Sequence, residues 1–144
     1  MITLCLPRQL IIGDLSPKNI GVNNGEITIC DLDYVNMGNA VFDVGFLTGH
    51  ILAHNIQNYE KANSGIDAFL SGYIEKNNRF DKENPLLKQI ALGIALYRLN
   101  NPVIPYNLSL TEEQKREKAT KIFSQLYSTE RSWSQVIQGI TYTS

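Results

Sequence analysis

Asp14 and Asn19 stand five residues apart, Asp31 and Asp33 follow beyond an Asn-Gly step, and Asp43 comes after Gly38-Asn39. These residue types suit phosphoryl transfer, which asks little covalent chemistry of a protein. It needs a carboxylate to orient and deprotonate the attacking hydroxyl, and oxygen ligands for the magnesium ion that neutralises the phosphates. Asp14, Asn19 and Asp31 can supply both. Asp33 is a secondary metal-ligand candidate, since acid-x-acid strands bind magnesium, although a solvated or loop-bonding carboxylate is the preferred reading. Lys18 is a candidate phosphate contact, set against the commoner fate of a loop lysine, which is solvation.

The residues around this set read as short strands. Leu10, Ile11 and Ile12 lead into Gly13-Asp14, then Ile20 and Val22 alternate with polar neighbours, and Ile27 and Ile29 alternate again after Asn23-Asn24-Gly25. An Asn-Gly step between two alternating segments predicts a hairpin that pairs Asn19 to Val22 with Glu26 to Asp31. Such a hairpin brings Asn19 and Asp31 to the same end.

From Asn39 the period becomes helical. Val44, Leu47, Ile51 and Ile56 form one stripe, and Tyr59, Ala62, Ile66, Phe69 and Tyr73 a second. Leu86, Leu87, Ile90, Ile94 and Tyr97 form a third, closed by a loop holding Pro102 and Pro105. Thr111 and Gln114 make a capping-box pattern ahead of Ala119, Ile122, Phe123 and Leu126. A short tail helix is expected around Trp133 to Ile137. The aromatic residues on these stripes, Tyr59, Phe69, Tyr73 and Tyr97, are assigned to the core. His50 and His54 have a zinc-compatible spacing but no third ligand, so they read as packed or half-exposed helix residues.

The segment Ile12-Gly13-Asp14-Leu15-Ser16-Pro17-Lys18-Asn19 resembles the catalytic loop of the aminoglycoside phosphotransferase and choline kinase family. Cys30-Asp31-Leu32-Asp33, Gly38-Asn39 and Phe42-Asp43-Val44-Gly45 are similar to its metal strand, turn and Asp-bearing helix start. The resemblance implies Asp14 as catalytic base, Asn19 and Asp31 as magnesium ligands, and Asp43 as an acid that hydrogen-bonds the catalytic-loop backbone. It implies an α+β, mostly helical, protein-kinase-like C-terminal lobe spanning 1–144, with the catalytic loop and metal strand in 9–33 and a helical subdomain over 39–140. It further implies ATP or GTP as co-substrate and an aminoglycoside, a sugar-like compound or an amino alcohol as hydroxyl acceptor.

The chain departs from that pattern in three places. Ile12 stands where the family usually has His, and Asn39 where many members have Asp. These residues also contain no glycine-rich phosphate loop and no strand lysine paired with a helix glutamate, so the expectation is a lobe whose nucleotide-clamping N-terminal half is missing and which alone binds magnesium-nucleotide poorly. The rival reading is a non-catalytic remnant or pseudokinase lobe that acts as a binding module.

Composition fits either. With 43% hydrophobic and 19% charged residues and a net charge of -1, the 144 residues suit one globular domain and give no reason to expect nucleic acid as a partner. No apolar run is long enough for a membrane span, and Met1 to Leu6 lacks the features of a signal peptide. Cys5 and Cys30 are too few for a disulfide framework, and Cys30 is expected to be a buried free thiol. A cytoplasmic location is expected.

Overall fold

A computed structural model describes residues 8–101, 110–128 and 130–142. Cys5, the segment Met1 to Leu6 and the Pro102 and Pro105 loop lie outside the described residues. The fold is α+β and mostly helical. Among the described residues two antiparallel strand pairs precede five helices: β1 (Gln9–Ile11), β2 (Ile20–Asn23), β3 (Glu26–Ile29) and β4 (Asn36–Gly38), then α1 (Ala40–His54), α2 (Tyr59–Lys76), α3 (Pro85–Asn100), α4 (Glu112–Gln125) and α5 (Trp133–Thr141).

The expected hairpin is β2–β3, with Asn23 opposite Glu26 and Ile20 opposite Ile29. Asn24 and Gly25 have φ of 49° and 84°, the two left-handed positions of a type I′ turn. Its strands are shorter than expected, because residue 19 closes a 3-10 turn (Pro17–Asn19) and residue 31 has already left the ladder. The backbone still joins the two ends, since Cys30 N donates to Asn19 O at 2.9 Å.

The second pair was not foreseen. Leu10 pairs with Met37 and Ile11 with Asn36, which ties the strand before the Asp14 loop to the strand before α1. α1 then packs along β1.

The helices build the core. α1 and α3 form the most extensive contact, and at Gly49 an added Cβ would lie 2.6 Å from Ala91 O, so the two backbones meet without a side chain between them. Leu52, Ile56, Ile66, Leu70, Leu92, Ile122, Ile137 and Ile140 are almost wholly buried, each contributing about 1.5–3 kcal/mol. Polar groups that enter this core are satisfied. The Trp133 indole donates to Lys82 O at 2.8 Å, and buried Lys118 Nζ donates to Ile140 O at 2.9 Å and Thr141 O at 2.7 Å, closing the C-terminal end of α5.

Three side chains depart from the sequence reading. Cys30 is exposed, because the apolar alternation of the hairpin faces solvent instead of the helices. Tyr97 and Phe123 are more than half exposed. In α3 the buried face runs through Leu87, Ala91, Leu92, Ala95 and Leu99, so the small residues that permit close helix contact, not the bulkiest ones, mark it. The tail helix is longer than expected and belongs to the core, through Trp133, Val136, Ile137 and Ile140. No described helix is long and apolar enough to cross a membrane.

Candidate functional site

The loop from Ile12 to Asn19 is held at both ends. Asn39 caps α1 by accepting from Val41 N at 2.8 Å. One turn into that helix, the buried Asp43 carboxylate accepts from Ile12 N at 2.6 Å and from Gly13 N at 2.9 Å. This is the contact that the family resemblance implied for Asp43. The bond uses the Ile12 backbone, so it does not depend on which side chain stands at position 12. Gly13 is required by its surroundings: its φ is +83°, and a Cβ there would sit 2.5 Å from Tyr34 O.

At the far end, Asn19 is buried and its Nδ2 donates twice to residue 14, to the carbonyl at 3.0 Å and to Oδ2 at 3.1 Å. The five-residue loop is thus closed by its own two candidate residues. Asn19 Oδ1 takes no hydrogen bond among the described residues. Lys18 Nζ lies 3.1 Å from the same Asp14 Oδ2, a half-exposed ion pair. Asp14 Oδ1 is left without a bond among the described residues.

Burial is the largest single influence on the Asp14 carboxyl and raises its pKa. The Lys18 contact and charge, the adjacent Ser16 hydroxyl and the Asn19 amide together outweigh it and hold the group below the usual carboxylate range. Asp14 is therefore ionised at neutral pH and able to accept a proton. The same pair raises the Lys18 pKa.

Asp31 follows the Cys30–Asn19 backbone bond directly and has a φ of 59°, a left-handed position that Asp tolerates. It is exposed and contributes to the field at Lys18. Asp33 is exposed in the next turn and makes no hydrogen bond or ion pair among the described residues. The structure thus brings Asp14, Lys18 and Asn19 into contact, sets Asp31 beside them, and leaves Asp33 apart.

Among the described residues no group of three or more His, Cys, Asp or Glu side chains is placed to hold a metal ion. What the edge offers is one amide oxygen and one exposed carboxylate. That sparse set fits magnesium, which keeps several waters and takes the rest of its shell from phosphates. It does not fit a metal that needs an all-protein cage. His50 and His54 do not form such a cage either, since His50 is buried and His54 exposed. His50 stacks on Phe46 with ring centroids 5.1 Å apart, and Arg98 NH2 lies 3.5 Å from its Nε2.

The sequence reading missed Ser16, whose hydroxyl is buried in the middle of the loop, although its position before Pro17 was visible as a helix-start signal. A cleft of about 360 Å³ between α2 and α5, lined by Asn63, Asp67 and Trp133 among others, contains none of the candidate residues. Comparison of the chain with protein-family models, with curated proteins and with solved structures gives no match.

Proposed function

We propose that the edge formed by Asp14, Asn19 and Asp31 is the transfer site of a small-molecule kinase that moves the γ-phosphate of ATP or GTP to a hydroxyl group. The observation that carries this reading is the divided use of Asn19: its Nδ2 fixes Asp14, and its Oδ1 remains over as an oxygen ligand. Asp14 Oδ1 takes the proton of the acceptor hydroxyl as that oxygen bonds to phosphorus, and the nucleoside diphosphate leaves. Asp43 holds the Ile12-Gly13 backbone so that Asp14 keeps its aim. Magnesium, when bound by Asn19 and Asp31, neutralises phosphate charge. Lys18, on the open side of Asp14, is the residue best placed to meet a phosphate oxygen. The reading assigns the other phosphate contacts, and the protein-kinase-like architecture around them, to the full-length protein.

One observation favours the rival binding module. Ile20, Val22, Ile27 and Ile29 share one face of the hairpin, and Val22 and Ile27 are 71% and 70% exposed. A partner surface is a natural use for such a face.

Manganese separates the two readings. Added with nucleotide to ¹⁵N-labelled protein, it is expected to broaden the amides of Asn19, Cys30 and Asp31 first, and Asp31→Asn is expected to remove that effect. Broadening centred elsewhere, or unchanged in Asp31→Asn, would contradict the transfer-site reading.

A further inference from the structure

α1 and α3 run side by side in the same direction, since Gly45 packs on Ile90 and Gly49 on Ile94. On α1, Asp43, Phe46 and His50 follow at three- and four-residue spacing and share one face. At one end of that face Asp43 holds the start of the Asp14 loop. At the other end the buried His50 ring, 5.1 Å from the Phe46 ring, meets Arg98 of α3, whose guanidinium lies 3.5 Å from His50 Nε2. Burial first, then the Arg98 charge, keeps this imidazole neutral at pH 7, so it can accept from the guanidinium.

Arg98 belongs to the surroundings of the Asp14 loop. The Asp14 charge acts on His50, and at Lys18, where the contact with Asp14 is the largest influence, the Arg98 charge is felt as well. The guanidinium is half-buried, with its Cζ 5.8 Å from the centre of the Tyr97 ring. Partial withdrawal from water strengthens its attraction for an oxyanion.

The charge on this side of the loop has one sign. Residues 44–59 contain no Asp, Glu, Lys or Arg, and between Lys88 and Glu112 Arg98 is the sole charged residue. α3 has no carboxylate, and the one carboxylate of α1, Asp43, is spent on two backbone amides. Lys88 is buried and tied to Glu83 and Arg131 O. A polycationic acceptor meets no available counter-charge on these two helices. An anionic acceptor meets an arginine, whose planar fork suits a carboxylate or a phosphate.

We propose that Arg98 determines acceptor specificity: the sugars or amino alcohols phosphorylated at this site carry an oxyanion, a carboxylate or a phosphate, which the guanidinium binds while Asp14 takes the hydroxyl proton. The inference rests on the transfer-site reading, which puts the nucleotide phosphates at the other end of the loop with Asn19 and Asp31.

Matched acceptors test it in the full-length protein: gluconate against glucitol, glucose 6-phosphate against glucose, and serine against ethanolamine. At least one anionic compound is expected to exceed its counterpart about tenfold or more in kcat/KM. Gluconate or serine in the lead identifies a carboxylate, and glucose 6-phosphate a phosphate. In Arg98→Met the advantage is expected to vanish through a raised KM for the acceptor with KM for nucleotide unchanged, and Arg98→Lys to recover part of it. Counterparts or aminoglycosides used as well as the anions would overturn the proposal. So would a raised KM for nucleotide in Arg98→Met, which would make Arg98 a nucleotide contact. Binding is read without turnover or variants: in ¹⁵N-labelled parent protein the Arg98 Nε–Hε signal is expected to shift with at least one of the three anions and not with its counterpart. If the parent protein transfers to no acceptor while this signal shifts, the kinase reading fails and Arg98 stands as an oxyanion site. No shift with any of the three anions overturns the proposal.

Discussion

The helical part and the strand-rich part of this chain are held by different forces. From Val41 onward the core is a continuous set of buried aliphatic side chains shared by five helices. Among the described residues before Val41, Ile11 is the one buried apolar side chain, while Leu10, Val22, Ile27, Leu32, Tyr34 and Met37 are exposed. The strand-rich part is positioned by directed bonds: Asp43 to Ile12 and Gly13, Asn19 to Asp14, and Cys30 to Asn19. The contrast teaches that the candidate site can open locally without unfolding the helices, since stability is not uniform along a chain and follows buried apolar contact.

The comparison breaks most visibly in the core. Leu92→Ala removes a side chain that is 1% exposed in α3 and is expected to cost about 2–5 kcal/mol, read as a shifted denaturation midpoint for the whole molecule. Independent loss of individual helices in that variant would contradict a core shared among them.

Acid should also act through the helices. Burial first, then the Arg98 charge, lowers the His50 pKa from 6.5 to about 4, so the folded state keeps the imidazole neutral after the unfolded state has bound a proton. Stability from this source is full above about pH 6.5 and falls as pH drops toward 4, by about 3 kcal/mol in all. His50→Gln is expected to flatten that limb of a stability-against-pH curve; an unchanged limb would show that other groups cause it.

Smaller and more local is the effect of Asp43→Asn, which puts an amide NH2 where one backbone amide needs an acceptor. The cost is expected at about 1–3 kcal/mol, with faster hydrogen exchange at Ile12 and Gly13 and unchanged protection in α3. Loss of α3 protection would show that the loop and core are one unit. The smallest effect belongs to the exposed hairpin face. Val22→Thr and Ile27→Thr are expected to stay within about 0.5 kcal/mol of the parent protein.

What could be read from the sequence was local. Asn24-Gly25 carries its turn in two residues, and the Thr111–Gln114 capping box is closed in the folded chain by both of its bonds. The same signal at Ser132 and Gln135, which starts α5, was present and went unread. β4 was illegible because Asn36-Met37-Gly38 has a single apolar residue and pairs with a strand 25 residues or more away. Alternation showed that Cys30 continues a strand-like run but could not say whether helices would cover it. At the candidate site the family resemblance implied the bonds of Asp43 to the loop backbone, whereas the bond of Asn19 Nδ2 to Asp14 was not anticipated. The occupation of Asp14 by Lys18 depends on a side-chain direction that spacing does not carry.

The central claim is that Asp14 accepts a proton from an acceptor hydroxyl during phosphoryl transfer. The direct measurement is transfer of labelled γ-phosphate from ATP and GTP, with magnesium, to a panel of aminoglycosides, sugars and amino alcohols, using the full-length protein and its Asp14→Asn variant. Asp14→Asn keeps the shape of the loop but removes the base, so turnover is expected to fall by about 10²-fold or more at unchanged melting temperature. Turnover equal to that of the parent protein would contradict the assignment of Asp14, and no transfer by the parent protein to any acceptor would contradict the kinase reading itself.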